Sequence, residues 1–138
     1  MFTFDYEYRV RYADVDQMGY MYYGNYARLY EIGRVEALRD LGLSYKKMEE
    51  GGVMMPVYEN YSRFIQPTKY DELLTIRVMV EEIPKTRFKF KYEILNEEQK
   101  KVHTGETTLV FINMKTNRLT TCPEAITRFL QPFLTDKS

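Results

Sequence analysis

Apolar and polar residues alternate between residues 3 and 13: Phe4, Tyr6, Tyr8, Val10 and Tyr12 lie at period two, with Asp5, Glu7, Arg9 and Arg11 between them. That period predicts a strand with one buried and one wet face. A compact run rich in Asp, Gly and Tyr follows, from Asp14 to Asn25, and then the period changes. Between Tyr23 and Leu41, steps of ~100° per residue gather Tyr26, Leu29, Tyr30, Gly33, Ala37, Leu38 and Leu41 on one stripe. Ala27 extends the stripe, while Arg28, Glu31, Glu36 and Arg39 fall elsewhere. The pattern is a helix of ~28 Å at ~1.5 Å per residue. Gly42 is its stop, since glycine takes the left-handed conformation without steric cost. Gly33 inside the helix costs ~1 kcal/mol against alanine, and a sheet packed close at that point is the reason expected for keeping it.

After Gly51-Gly52 the strand period returns. One strand is expected from Val53 to Ile65, with Pro56 marking an edge or a bend. A second runs from Leu73 to Ile83, with Leu74, Ile76, Val78 and Val80 alternating against Thr75, Arg77, Met79 and Glu81. In the third, Phe88, Phe90, Tyr92 and Ile94 oppose Arg87, Lys89, Lys91 and Glu93. A hairpin at Asn96-Glu97-Glu98 leads to a fourth, Lys101 to Met114. Lys115 to Arg118 reads as a turn, and Pro123 to Phe133 as a short closing helix. One half-apolar helix and about five half-buried antiparallel strands make an α+β fold, with the sheet packed on the helix and its other face in water or against a partner. No linker or repeat divides the 138 residues, so residues 1–138 are expected to form a single domain.

Composition narrows the function. Lys+Arg and Asp+Glu are equal at 20 each, without the basic footprint of a nucleic-acid binder. One cysteine, Cys122, and one histidine, His103, leave no disulfide and make a metal centre or a metal cofactor unexpected. No apolar run approaches the ~18 residues of a membrane span, and the first residues alternate instead of forming a signal-peptide core. A cytoplasmic location is the expectation. Tyrosine supplies 13 residues, rings that pack in a core or line a cavity while keeping a hydroxyl for water or a partner.

The stretch with chemistry in it is Tyr12-Ala-Asp-Val-Asp-Gln-Met-Gly-Tyr-Met-Tyr-Tyr-Gly-Asn-Tyr26. Asp14 and Asp16 follow a strand two residues apart, which in extended backbone points both to one side. A glycine turn then runs into a helix N-terminus, where unpaired N–H groups favour negative charge. A carboxylate facing such donors can cleave an acyl bond: the donors hold the oxyanion, and the carboxylate activates water or attacks. Taken alone, Asp-x-Asp before a glycine is more often turn or capping chemistry.

The run Asp14-x-Asp16-x-x-Gly19-x-x-x-Tyr23-x-Asn25-Tyr26, then Leu29-Tyr30-Glu31-x-x-Arg34-x-Glu36-x-Leu38, resembles the signature of the 4-hydroxybenzoyl-CoA thioesterase family. The likeness continues through Arg63-Phe-Ile-Gln-Pro67 and Tyr70-Asp-Glu-Leu73 and along the strands to about Met114. It implies a hotdog fold, a long helix wrapped by an antiparallel sheet, and hydrolysis of an acyl-CoA or acyl-carrier thioester without a cofactor. By this resemblance Asp16 is the catalytic carboxylate, and Tyr23 offers the backbone N–H that polarises the thioester carbonyl. Gly19 and Asn25 shape the substrate side of the helix start, and Asp14 is a structural acceptor. Lys85-Thr86-Arg87 matches the place where the nucleotide end of CoA is met; an ordinary exposed basic strand end fits equally. The resemblance also implies a homodimer or homotetramer, joined edge to edge with the site at the seam. Ile32 and Val35, off the main stripe, suit a second buried surface.

His103 lies in a strand with no nucleophile motif attached and reads as structural, as does Cys122 beside Pro123. Glu31 and Glu36 read as solvated partners of Arg34 or Arg39. The methionines, among them Met18, Met21, Met54 and Met55, fill core or line an acyl pocket. Beside hydrolysis stands a binding module that holds acyl-CoA without cleaving it, which would not need Asp16. A dehydratase of the same fold would want a histidine near the helix, and none lies between Asp14 and Leu41.

Overall fold

The structure, a computed structural model, describes residues 1–134. In chain order the elements are β1 (Phe2–Arg9), 3-10 turns at Tyr12–Asp14 and Tyr23–Asn25, α1 (Tyr26–Asp40), α2 (Tyr45–Glu50), β2 (Val53–Met54), β3 (Val57–Phe64), β4 (Leu73–Val80), β5 (Arg87–Leu95), β6 (Lys101–Asn113), β7 (Arg118–Thr120) and α3 (Glu124–Leu134). The long strands pair antiparallel in the order β1-β4-β5-β6-β3, and β2 and β7 pair with the end of β6.

The alternating residues do what their period demands. Leu74, Ile76, Val78 and Val80 of β4, and Phe88, Phe90, Tyr92 and Ile94 of β5, are all buried against α1 and its neighbours. On the opposite face the register sets Asp5 beside Arg77 and Arg77 beside Glu93, and ion pairs follow: Arg77 reaches Asp5 at 2.9 Å, Lys101 reaches Glu93 at 2.9 Å and Lys91 reaches Glu81 at 2.9 Å. Gly33 is kept for the reason expected. A Cβ there would stand 2.8 Å from Val78 Cγ2 and 2.9 Å from Ile76 Cγ2, so the helix lies on β4 at a distance only glycine permits. Gly42 takes φ +92° and ends α1, with the Leu43 N–H returning to the Leu38 carbonyl at 2.8 Å.

Several boundaries differ from the pattern. The first strand stops at Arg9, because Asp14 accepts from the Arg11 N–H and winds residues 12–14 into a turn. The helix opens with a 3-10 turn at Tyr23, and its α-helical part starts at Tyr26. Pro56 splits the 53–65 strand into β2 and β3. The second strand ends at Val80, not Ile83. Neither α2, capped by Ser44 Oγ on the Lys47 N–H, nor β7 is foreshadowed by a long period. Arg34 departs most: it is no surface partner of a glutamate but is buried under the sheet, while Glu36 pairs with Arg39 at 3.0 Å. Ile32 and Val35 are half-buried.

β3 is an edge. Among the described residues it pairs only with β6, and Val57, Tyr58, Tyr61 and Phe64 along it are exposed. Its inner face carries Asn60 and Ser62, which meet Thr107 and Tyr30 from the core side.

His103 sits beneath this edge, wholly buried, its ring stacked on Tyr26 at 4.0 Å and its Nε2 at 2.5 Å from the Tyr30 hydroxyl. Its Nδ1 has no partner among the described residues. Burial pulls its pKa from 6.5 down to about 4. The unfolded chain therefore takes up this proton at a higher pH than the folded one. Stability contributed by the neutral ring is complete above pH 6.5 and is lost as the pH falls towards about 4. Urea midpoints measured across that window should drop for the native chain and drop less for His103→Gln. Parallel curves for the two proteins would show that another group titrates.

Candidate active site

Residues 14–25 are a loop tied to itself. The Asp16 N–H donates to the Tyr20 carbonyl at 2.9 Å, the Tyr22 N–H to the Asp14 carbonyl at 2.9 Å, and Val15 bridges Met21. Gly19 turns the loop at φ +81°, which glycine alone adopts without strain. The Met21 N–H donates to the Thr68 carbonyl at 2.8 Å and anchors the loop to the body.

The two aspartates sit in different surroundings, contrary to the same-side expectation, because the 3-10 turn at 12–14 interrupts the extended backbone. Asp14 is buried and accepts from the Tyr8 hydroxyl at 2.6 Å, from the Arg11 N–H at 2.8 Å and from Arg28. Its oxygens are committed, as a structural acceptor's are. Asp16 is exposed; Oδ1 accepts from the Met18 N–H at 2.9 Å, and Oδ2 has no partner among the described residues.

At the other end of the loop the chain enters the 3-10 turn. The N–H groups of Tyr23 and Gly24 donate to no acceptor among the described residues, and both residues are exposed. Two free donors ahead of a fifteen-residue helix are a ready place for a developing negative charge. Asn25 donates from Nδ2 to the Asp14 carbonyl at 2.8 Å and so braces the loop at the helix start. Around the donors the surface is aromatic: Tyr22 and Tyr23 rings lie 4.7 Å apart, and Phe64 of β3 stands edge-on to Tyr26 at 5.4 Å.

One loop thus carries Asp14, Asp16, Gly19, Tyr23 and Asn25, but not Lys85, Thr86 and Arg87. Arg87 pairs with Val110 on β6, whereas Ile94, near Tyr26, pairs with His103. Seven strand positions separate the two ends, about 24 Å at ~3.4 Å per residue. Arg87 lies instead over the ring of Tyr58, at 4.7 Å, on the exposed β3 edge. Cys122 is half-buried, and burial raises its thiol pKa, the opposite of what activates a nucleophilic cysteine. Sequence reasoning missed Tyr26, Tyr30 and Arg34 as a line of polar tips at i, i+4 and i+8, pointing under β3. The spacing shows it; the charge of Arg34 hid it.

The profile of the thioesterase-like superfamily matches residues 10–130. A Bacillus subtilis protein provisionally named an acyl-CoA thioesterase is 36% identical over 90 residues, and the match spans 65% of each chain. A 1,4-dihydroxy-2-naphthoyl-CoA hydrolase of Thermosynechococcus vestitus is 23% identical over 128 residues, 92% of this chain and 88% of that one. The crystal structure of a DHNA-CoA thioesterase from Staphylococcus aureus superposes with a TM-score of 0.83 at 32% identity, covering 99% of this chain and 86% of that one. The helix on its antiparallel sheet is the hotdog fold.

Proposed function

The chain belongs to the thioesterase-like superfamily, and from that premise we propose that it hydrolyses an acyl-CoA thioester to the free acid and CoA. The observation that carries this reading is the pair of unpartnered N–H groups at Tyr23 and Gly24, on the same tied loop as an exposed aspartate. The amides hold the carbonyl oxygen as it gains charge, and Asp16 activates water or attacks the carbonyl carbon. A pure acyl-CoA binder has no use for a carboxylate there, and Asp16 favours hydrolysis over binding alone. The relatives are named for acyl-CoA and dihydroxynaphthoyl-CoA, so the narrower likeness to 4-hydroxybenzoyl-CoA thioesterases extends to the superfamily and stops short of that substrate. A panel of acyl-CoA and acyl-carrier thioesters, read by a thiol-trapping dye, tests the activity. Thiol release from none of them, with acyl-CoA bound, would return the chain to the binding module.

The working unit in this reading is at least a dimer, made at β3. An exposed edge leaves backbone donors and acceptors bare. Antiparallel pairing of β3 with a second copy sets the Val57 end of one strand beside the Phe64 end of the other. The Lys85–Arg87 segment of one protomer then reaches the Tyr23 end of its partner, which a single chain keeps about 24 Å away at ~3.4 Å per strand residue. Light scattering should give two or four times the 16.6 kDa chain mass. Lys85→Ala/Arg87→Ala should raise KM for acyl-CoA several-fold and weaken its salt dependence while sparing kcat, because contacts to the nucleotide are equal in ground and transition states. An unchanged KM would make these two ordinary strand-end cations.

A further inference from the structure

Arg34 is a buried cation without an anion. It is 5% exposed, and no ion pair among the described residues includes it. Its partners are hydroxyls: Nε donates to Tyr45 at 3.1 Å, and Nη1 to Tyr92 at 3.0 Å and to Thr107 at 3.3 Å. Burial pushes the Tyr92 hydroxyl up to about 12 and raises that of Tyr45, so both are neutral at working pH. Nη2 donates to no protein group among the described residues. Glu31, one turn earlier, is exposed and does not pair with it. An uncompensated buried charge is strongly unfavourable, and proteins keep one where something else supplies the counter-charge.

The surroundings say from which side that counter-charge comes. Thr107 donates to Asn60 Oδ1 at 2.6 Å, and Asn60 lies exposed on the free β3 edge. Along the same wall Tyr30 meets Ser62 at 2.7 Å, and Phe64 with Tyr26 stands next to the free amides. The inner side of β3 therefore grades from aromatic, beside Tyr23, to polar and cationic, at Arg34. Ten residues of helix separate Gly24 from Arg34, ~15 Å at ~1.5 Å each. The arginine stem leans back towards the helix N-terminus and shortens the gap to ~10 Å.

We propose that Arg34 reads the far end of the acyl group: the preferred substrate is an acyl thioester that carries an oxygen acceptor, anionic or phenolic, about 10 Å from the thioester carbonyl at ~1.5 Å of helix per residue. This rests on the hydrolase reading and names the substrate class within it. The acyl group lies along β3 with its apolar part against Phe64 and Tyr26, and its terminal oxygen accepts from Arg34 Nη2.

Two matched pairs test it. Suberyl-CoA and octanoyl-CoA differ in one terminal carboxylate, and 6-hydroxy-2-naphthoyl-CoA and 2-naphthoyl-CoA in one phenol oxygen. A charge-assisted hydrogen bond gives roughly a 10- to 100-fold advantage, so the oxygenated member of at least one pair should show kcat/KM higher by that factor. The pair that responds tells a carboxylate from a phenol. Arg34→Met keeps the stem, removes the donors and should bring the ratio near one, while Arg34→Lys should retain part of a carboxylate preference. A merely structural arginine would lower both members of a pair together and leave their ratio unchanged. Should Arg34→Met fail to fold, the native enzyme decides through its own ratios and through inhibition by suberate against octanoate. Ratios near one in both pairs, with hydrolysis intact, overturn this inference and leave the hydrolase reading standing. Hydrolysis of no member overturns both.

Discussion

Asp16→Asn is expected to lower kcat by roughly 10²-fold or more, the scale of a lost acid–base group, with the melting temperature nearly unchanged. The two halves of that expectation come from different oxygens. Oδ1 accepts the Met18 N–H at 2.9 Å, and an asparagine carbonyl oxygen does the same, so the turn survives. Oδ2 holds no protein partner among the described residues, and it is the one whose charge is removed. Asparagine neither takes a proton at neutral pH nor attacks a thioester well. The control is Asp14→Asn, which should behave oppositely. Asp14 is buried with donors from Tyr8, the Arg11 N–H and Arg28 converging on both its oxygens, and an asparagine amide nitrogen in place of one oxygen would face a donor with no acceptor. That variant should lose stability first and activity through it. Steady-state rates beside thermal unfolding for both proteins separate the roles. Near-native turnover in Asp16→Asn would remove Asp16 from the chemistry.

This contrast marks how far the sequence could be read. Elements with an unbroken period were legible because a single face of each is buried along the strand: β4 alternates throughout and β5 as far as Ile94, and Gly33 and Gly42 sit where packing and termination require them. What the period did not show were elements too short to repeat it, such as the six residues of α2 and the three of β7. Asp14 and Asp16 share a motif, yet a local hydrogen bond from the Arg11 N–H winds the chain into a turn that ends at Asp14 and leaves Asp16 beyond it, and no period encodes that. The charge of Arg34 suggests solvent, but its spacing from Tyr26 and Tyr30 puts it on the buried stripe, where hydroxyl groups receive its N–H donors. The separation of Lys85–Arg87 from Tyr23 is a matter of strand register, which only the pairing of β5 with β6 determines.

Tyr23→Pro is the change that isolates the oxyanion donor, and the local backbone is already suited to it. Tyr22 has φ −61° and ψ 131°, the extended conformation that the residue before a proline prefers. Tyr23 is the first residue of its turn, the helix position where proline is best tolerated, and its N–H has no acceptor to lose. The substitution therefore deletes one donor and leaves the fold. If that N–H holds the developing oxyanion, its loss should cost about 3–4 kcal/mol of transition-state stabilisation, or 10²- to 10³-fold in kcat. The Gly24 N–H remains, so residual activity is expected above background. Tyr23→Ala provides the comparison. It removes an exposed ring beside Tyr22, keeps the N–H, and should retain most of kcat, since the donor to the oxyanion survives. The pair of variants thus discriminates backbone from side chain. Should alanine prove as inactive as proline while both unfold at the native temperature, the phenol, and not the amide, would be the group that works at the head of α1.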